Sequence, residues 1–145
     1  MMSPVDRDVL RRKLSRIVQC LQRIKAAEGY NFEDYTADAD LQAILERQLE
    51  LAIGAAVDLN VHFLASSGFS TPADAYTSFT DLARHTQAIP MELALRLAPA
   101  AGLRNRLVHQ YEEINHELVY QGLHDALELF PTYVSAIETY LEQAK

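Results

Sequence analysis

Residues 102–114 read Gly102-Leu103-Arg104-Asn105-Arg106-Leu107-Val108-His109-Gln110-Tyr111-Glu112-Glu113-Ile114, and this run packs Arg104, Asn105, Arg106, His109 and Tyr111 into eight positions. Arginine offers a planar charged fork that suits a phosphate. Histidine exchanges a proton near neutral pH, and asparagine can orient either group. Together they match metal-free RNA cleavage, in which the ribose 2′-OH attacks phosphorus, a histidine acts as general acid or base, and an arginine stabilises the charge of the phosphorane-like transition state. The same residues would also serve a plainer role, as a solvated helix face with a hydrogen-bonded histidine, and no spacing rule separates the two.

Spacing constrains how these groups could cooperate. On a helix advancing about 100° per residue, Arg104 and Tyr111 fall within about 20° of one face, two turns apart. Asn105 and His109 are i, i+4 neighbours. Arg104 and His109 are about 140° apart, so they meet only by reaching around a groove or across an interface with a second copy of the helix.

Other polar positions carry weaker signals. Glu113-x-x-His116 copies half of a carboxylate-bundle metal site, but no second Glu-x-x-His accompanies it. His62, between Val61 and Phe63, fits a core or interface histidine, and His85 and His124 lie among polar residues. Phosphate-loop, dinucleotide-fold, nucleophile-elbow and zinc-helix motifs are absent from the sequence, so no metal and no cofactor are expected. The single cysteine, Cys20, can form no internal disulfide and reads as a small buried hydrophobe.

The elements that must carry these residues are helical throughout. Leu10, Leu14, Ile17, Val18, Leu21 and Ile24 recur at spacings of three and four, with Ser3 as N-cap, Pro4 at the first helical position and Gly29 as terminator. Residues 29–38 have no period and read as a loop whose three aromatics could fold back on the core. From about Asp40 to Ala65 runs the longest helical pattern, closed by Ser66-Ser67-Gly68. Within it, Gly54-Ala55-Ala56 would let another backbone approach, compensating the roughly 1 kcal/mol a helical glycine costs. Thr71-Pro72 is expected to open a further helix to about Gln87, and Pro90 another. Pro99 is expected to end a short helix near Leu97 and begin a new one. A last helix spans about Asn115 to Gln143, with a kink at Pro131. The expected architecture is all-α, an up-and-down bundle of four to five helices forming one domain over residues 1–145.

Composition bounds the rest. The 145 residues are 49% hydrophobic and 23% charged, enough for one sizeable core and too few for two domains. No apolar run reaches about 18 residues and no basic start precedes an apolar segment, so the expectation is a cytoplasmic protein without a membrane span. The net charge is −7, yet residues 1–28 hold seven Lys/Arg against three Asp/Glu, so that stretch is +4 and the remainder −11. Screening confines repulsion to about 8 Å at physiological salt, so a basic first helix on an acidic body remains compatible with an RNA substrate, and equally with a solvated helix face.

The run Gly102-Leu103-Arg104-Asn105 followed by Leu107-Val108-His109-x-Tyr111 resembles the R-N-x-x-x-H-x-Y signature of the HEPN superfamily, specifically the HepT-like toxins encoded beside a minimal nucleotidyltransferase (MNT) antitoxin. The likeness extends over nearly the whole chain and the motif is intact; Arg106 is not part of it. The resemblance implies a HEPN-like helical bundle, a homodimer whose signature helices face each other across a cleft, and metal-independent ribonuclease activity. It implies Arg104 and His109 as the catalytic pair, Asn105 as the supporting polar residue, and inhibition by the MNT partner through AMP transfer to Tyr111. A second implied role is a non-catalytic helical subunit that presents substrate or nucleotide to that partner.

Overall fold

The chain begins with a helix whose boundaries follow from local chemistry. In α1 (Pro4–Lys25), Ser3 accepts a hydrogen bond from the backbone N–H of Asp6, and Pro4 occupies the first turn, where a missing donor costs nothing. A computed structural model describes residues 2–109 and 114–143. Among them lie six helices and no strand: α1, α2 (Phe32–Ala37), α3 (Ala39–Ser66), α4 (Ala75–Thr86), α5 (Met91–His109) and α6 (His116–Gln143).

α3 is the organising element, because it touches each of the other five helices. Its length and composition would suffice to cross a membrane, but half of its most apolar stretch is buried inside the bundle. Leu45, Leu49, Ile53, Leu59 and Phe63 of α3 join Leu10, Leu14 and Ile17 of α1, Phe79 and Leu82 of α4, Leu97 of α5, and Phe130 and Ile137 of α6 in one hydrophobic core. The helix ends at Ser66 and the chain turns away at Gly68, whose φ of +86° suits a residue without a Cβ, and the following N–H of Phe69 reaches back to the carbonyl of Leu64. Cys20 is buried as expected, and burial pushes its thiol pKa up.

Fold class matches the expectation, and the helix count exceeds it by one. The stretch 29–38 is not all loop: Asn31 and Asp34 form a reciprocal capping box that starts α2, and the helix carries Tyr35 into the core. Six residues span less than two turns, too few to register as a period. Phe32 and Tyr35 pack on Tyr120 of α6 with ring centroids 5.3 and 5.6 Å apart, so two of the three aromatics fold back, while Tyr30 stays exposed.

Two proline expectations are corrected. Pro99 does not divide the segment, and α5 runs through it. Proline leaves the carbonyl of Leu95 without its helical donor, but Leu95 and Pro99 share the solvent face, where water can serve that carbonyl, while Leu93, Ala94, Leu97, Ala98 and Ala101 hold the opposite face in the core. Thr71-Pro72 does not start α4 either; Asp74 does, in a capping box with Thr77, three residues later. Asn115 caps α6 as its side-chain oxygen accepts from the N–H groups of Glu117 and Leu118.

Candidate active site

α5 projects its signature residues in different directions, as the 140° between them requires. Arg104 turns inward against α3. A Cβ added to Gly54 would lie 3.1 Å from Arg104 Nε and 3.6 Å from its Cζ and Nη2, so the guanidinium rests on the bare backbone of that glycine. The small-residue patch therefore admits a side chain, whereas the sequence suggested a backbone. Arg104 Nε is shielded from solvent and has no hydrogen-bond partner among the described residues.

The guanidinium borders a cleft of about 590 Å³ between α1 and α3. Arg12, Lys13 and Arg16 of α1 and Arg47 of α3 line it with Arg104, against the carboxylates of Glu50 and Asp58. Both acids are engaged, Glu50 with Arg47 at 3.1 Å and Asp58 with Lys13 at 4.0 Å. Among the described residues, Arg12, Arg16 and Arg104 face no carboxylate at ion-pair distance. Sequence reasoning pointed to the basic first helix as a whole; it did not pick out Arg47, which lies in an acidic stretch and joins the cleft through tertiary packing.

Asn105 and His109 are exposed on the last turns of α5, and neither lines this cleft. Tyr111 and Glu113 lie outside the described residues. Arg106 faces the other side of α5, into a cavity of about 300 Å³ between α5 and α6 floored by Leu49 and Ile53. Leu103 and Gly122 also line it, and Leu103 packs where Gly122 bears no side chain: a Cβ there would come within 2.3 Å of Leu103 Cδ2.

The remaining histidines are placed in structural contacts. His62 Nε2 lies 3.0 Å from Asp6 Oδ1, tying α3 to the start of α1. His85 stacks on Phe69 with centroids 4.9 Å apart, and His124 Nδ1 meets the carbonyl of Tyr120 at 3.1 Å. His116 Nδ1 is 3.7 Å from Glu46 Oε1, which also accepts from the hydroxyl of Tyr35 at 3.3 Å. Burial raises the Glu46 pKa above the usual carboxylate range, opposed by His116 and the Tyr35 hydrogen bond. Among the described residues, no group of three His, Cys, Asp or Glu side chains is placed to hold a metal ion.

A bundle that is helical throughout its described residues, carrying the intact Arg104-Asn105-x-x-x-His109-x-Tyr111 spacing, points to a protein of the HEPN class. The chain belongs to the ribonuclease HepT-like family, whose model matches residues 4–137. It is 34% identical over 140 residues to the tRNA nuclease HepT of Aphanizomenon flos-aquae, covering 97% of this chain and 95% of that protein. It is 28% identical over 131 residues to the mRNA nuclease HepT of Shewanella oneidensis, covering 90% and 97%. The fold superposes with a TM-score of 0.80 on the tri-AMPylated HEPN toxin of Shewanella oneidensis solved in complex with its MNT antitoxin, at 27% identity over 91% of this chain and 98% of that one.

Proposed function

We propose that this chain is a metal-independent endoribonuclease toxin, neutralised when a cognate MNT-type nucleotidyltransferase transfers AMP to Tyr111. The observation that carries the reading is Arg104: an arginine of the intact signature, held on Gly54 at the edge of a basic cleft, with no carboxylate at ion-pair distance among the described residues. In the reaction, the ribose 2′-oxygen attacks phosphorus as His109 removes its proton. The bond from phosphorus to the 5′-oxygen breaks, and that oxygen leaves with a proton from the second copy's histidine. The products are a 2′,3′-cyclic phosphate and a 5′-hydroxyl, and Arg104 offsets the extra negative charge in between. Asn105, one turn before His109, orients the imidazole.

A homodimer follows from the angular separation, because Arg104 and His109 diverge on one helix and a two-fold copy supplies the missing partner for each. If the helical spacing of the signature holds, AMP on Tyr111 would add a bulky anion on the face of the arginine that must receive the RNA phosphate, a switch by charge and obstruction. An RNA substrate and an ATP-using partner support a cytoplasmic location.

The test is cleavage of labelled RNA in EDTA. The wild type should cut, and His109→Ala should not, while its melting temperature stays within about 2 °C because exposed positions contribute little to stability. A large loss of stability in that variant would mark His109 as structural. Light scattering should give a dimer at micromolar concentration. With the nucleotidyltransferase and ATP, intact mass should rise by AMP units in wild type and stay constant in Tyr111→Phe, which should still cut RNA; equal modification of both would place the acceptor elsewhere.

A further inference from the structure

We propose that the α1/α3 cleft is the track along which the sugar–phosphate backbone of single-stranded RNA approaches Arg104, with Arg12 and Arg16 as its phosphate-binding residues. The inference rests on the ribonuclease reading above and extends it to residues outside the signature.

Charge is the first ground. The chain is −7 overall, yet this cleft is lined by five cations and two carboxylates, so the sign of the surface inverts locally. Both carboxylates are paired with Lys13 and Arg47, which among the described residues leaves Arg12 and Arg16 as the pair without a carboxylate partner leading to Arg104. They sit at i and i+4 on α1, one turn or about 6 Å apart. Like charges at that spacing destabilise a helix, and a bound polyanion relieves the repulsion. The second ground is Arg104 itself, whose buried Nε lacks an acceptor among the described residues. A donor withheld from water in this way is satisfied by an oxyanion entering the cleft or by a small turn of the guanidinium onto one.

The lining also identifies which part of a nucleic acid would bind. It contains no aromatic side chain among the described residues. Stacking platforms are how proteins hold free bases and nucleotides, so a cleft of arginines, Ser15 and Gln19 without one favours a strand's backbone over a mononucleotide. Binding here is accordingly independent of base sequence.

The experiment uses the full chain carrying His109→Ala, so that RNA is held and not cut, and follows fluorescence anisotropy of a labelled single-stranded oligoribonucleotide across a salt series. Arg12→Gln/Arg16→Gln is compared with Arg11→Gln/Lys25→Gln, which removes the same charge from the same helix at positions outside this cleft. The cleft pair should weaken binding about tenfold near 0.1 M salt and lower the slope of log K against log salt by about 1.4, or roughly 0.7 per lost phosphate contact. The control pair should change affinity less than about twofold, and two oligonucleotides of different base composition should respond alike. Equal losses from both pairs, a loss confined to one base composition, or displacement of the RNA by ATP at concentrations comparable to the RNA itself would each overturn the proposal. Cleavage is read separately in the chain with His109 intact. RNA bound with the expected slope yet never cut would sink the ribonuclease reading and leave the track standing, whereas RNA cut normally while both pairs bind alike would do the reverse.

Discussion

Gly54 shows how one residue can matter through what it lacks. Its Cβ-less backbone is the surface on which the Arg104 guanidinium lies, and a methyl there would sit 3.1 Å from Nε. Alanine is about 1 kcal/mol better than glycine inside a helix. Gly54→Ala should therefore hold or raise the melting temperature while lowering kcat for RNA several-fold, as the guanidinium is pushed from its seat; full activity would mean that Arg104 is not positioned by this contact. Glu46 offers a second test at this scale. Its folded pKa is raised by burial above the value it has unfolded, so its carboxylate is a cost to folding that is absent at acid pH and appears as pH rises through and above about 4.5. Glu46→Gln mimics the neutral form. Its stability relative to wild type should improve as pH rises from 4 to 7, and thermal melts over that range should show the gap widening; a gap that narrows would show the His116 and Tyr35 contacts to outweigh desolvation.

At the scale of elements, α5 is the helix that must be both a core element and the carrier of the site. Pro99 removes one hydrogen bond from its middle on the solvent face, between the packed half that begins at Met91 and the half that ends in the signature. An interior proline is about 3 kcal/mol worse than alanine, offset by up to about 1 kcal/mol through a stiffer unfolded chain. Pro99→Ala should thus stabilise the protein by about 2 kcal/mol in urea denaturation. No gain would mean that the proline already fits its helix without strain. The signature's mutual angles belong to this scale as well, since they were readable from a helical period alone, while the surfaces each residue faces were not.

Across the whole molecule, a buried polar chain ties three helices together. The hydroxyl of Tyr133 in α6 donates to Asn60 Oδ1 and contacts the carbonyl of Ala56, both in α3; Asn60 Nδ2 donates to Ser78 Oγ in α4 at 3.1 Å; and Ser78 Oγ donates to the carbonyl of Ala75 at 2.7 Å. All three side chains are buried, so none can turn to water if the chain is cut. Tyr133→Phe leaves Asn60 Oδ1 without its donor and should cost about 1–3 kcal/mol, lowering the melting temperature by several degrees. RNA cleavage below the melting transition should be unaffected, because none of these three side chains lines the α1/α3 cleft; lost activity at full folding would tie the network to the site.

Helical periodicity, caps and breakers are local, so the sequence alone determined the all-α class, the start of α1 at Ser3 and Pro4, the long α3 closing at Gly68, and the burial of Cys20. The Arg104-Asn105-x-x-x-His109-x-Tyr111 spacing was equally legible, since it needs only neighbours on one helix. Short or context-dependent features were not. α2 is too brief for a period, and whether Pro99 breaks α5 depends on which face it occupies, which packing decides. The cleft was hidden for the same reason: Arg12, Arg16, Arg47, Gly54 and Arg104 are scattered over more than ninety residues and become one surface only when α1 and α5 both pack on α3. Gly54 was visible as a point of close approach, but only the tertiary structure decided that the group approaching it is the arginine of the signature, because that choice is made by the register between two helices and not by either helix alone.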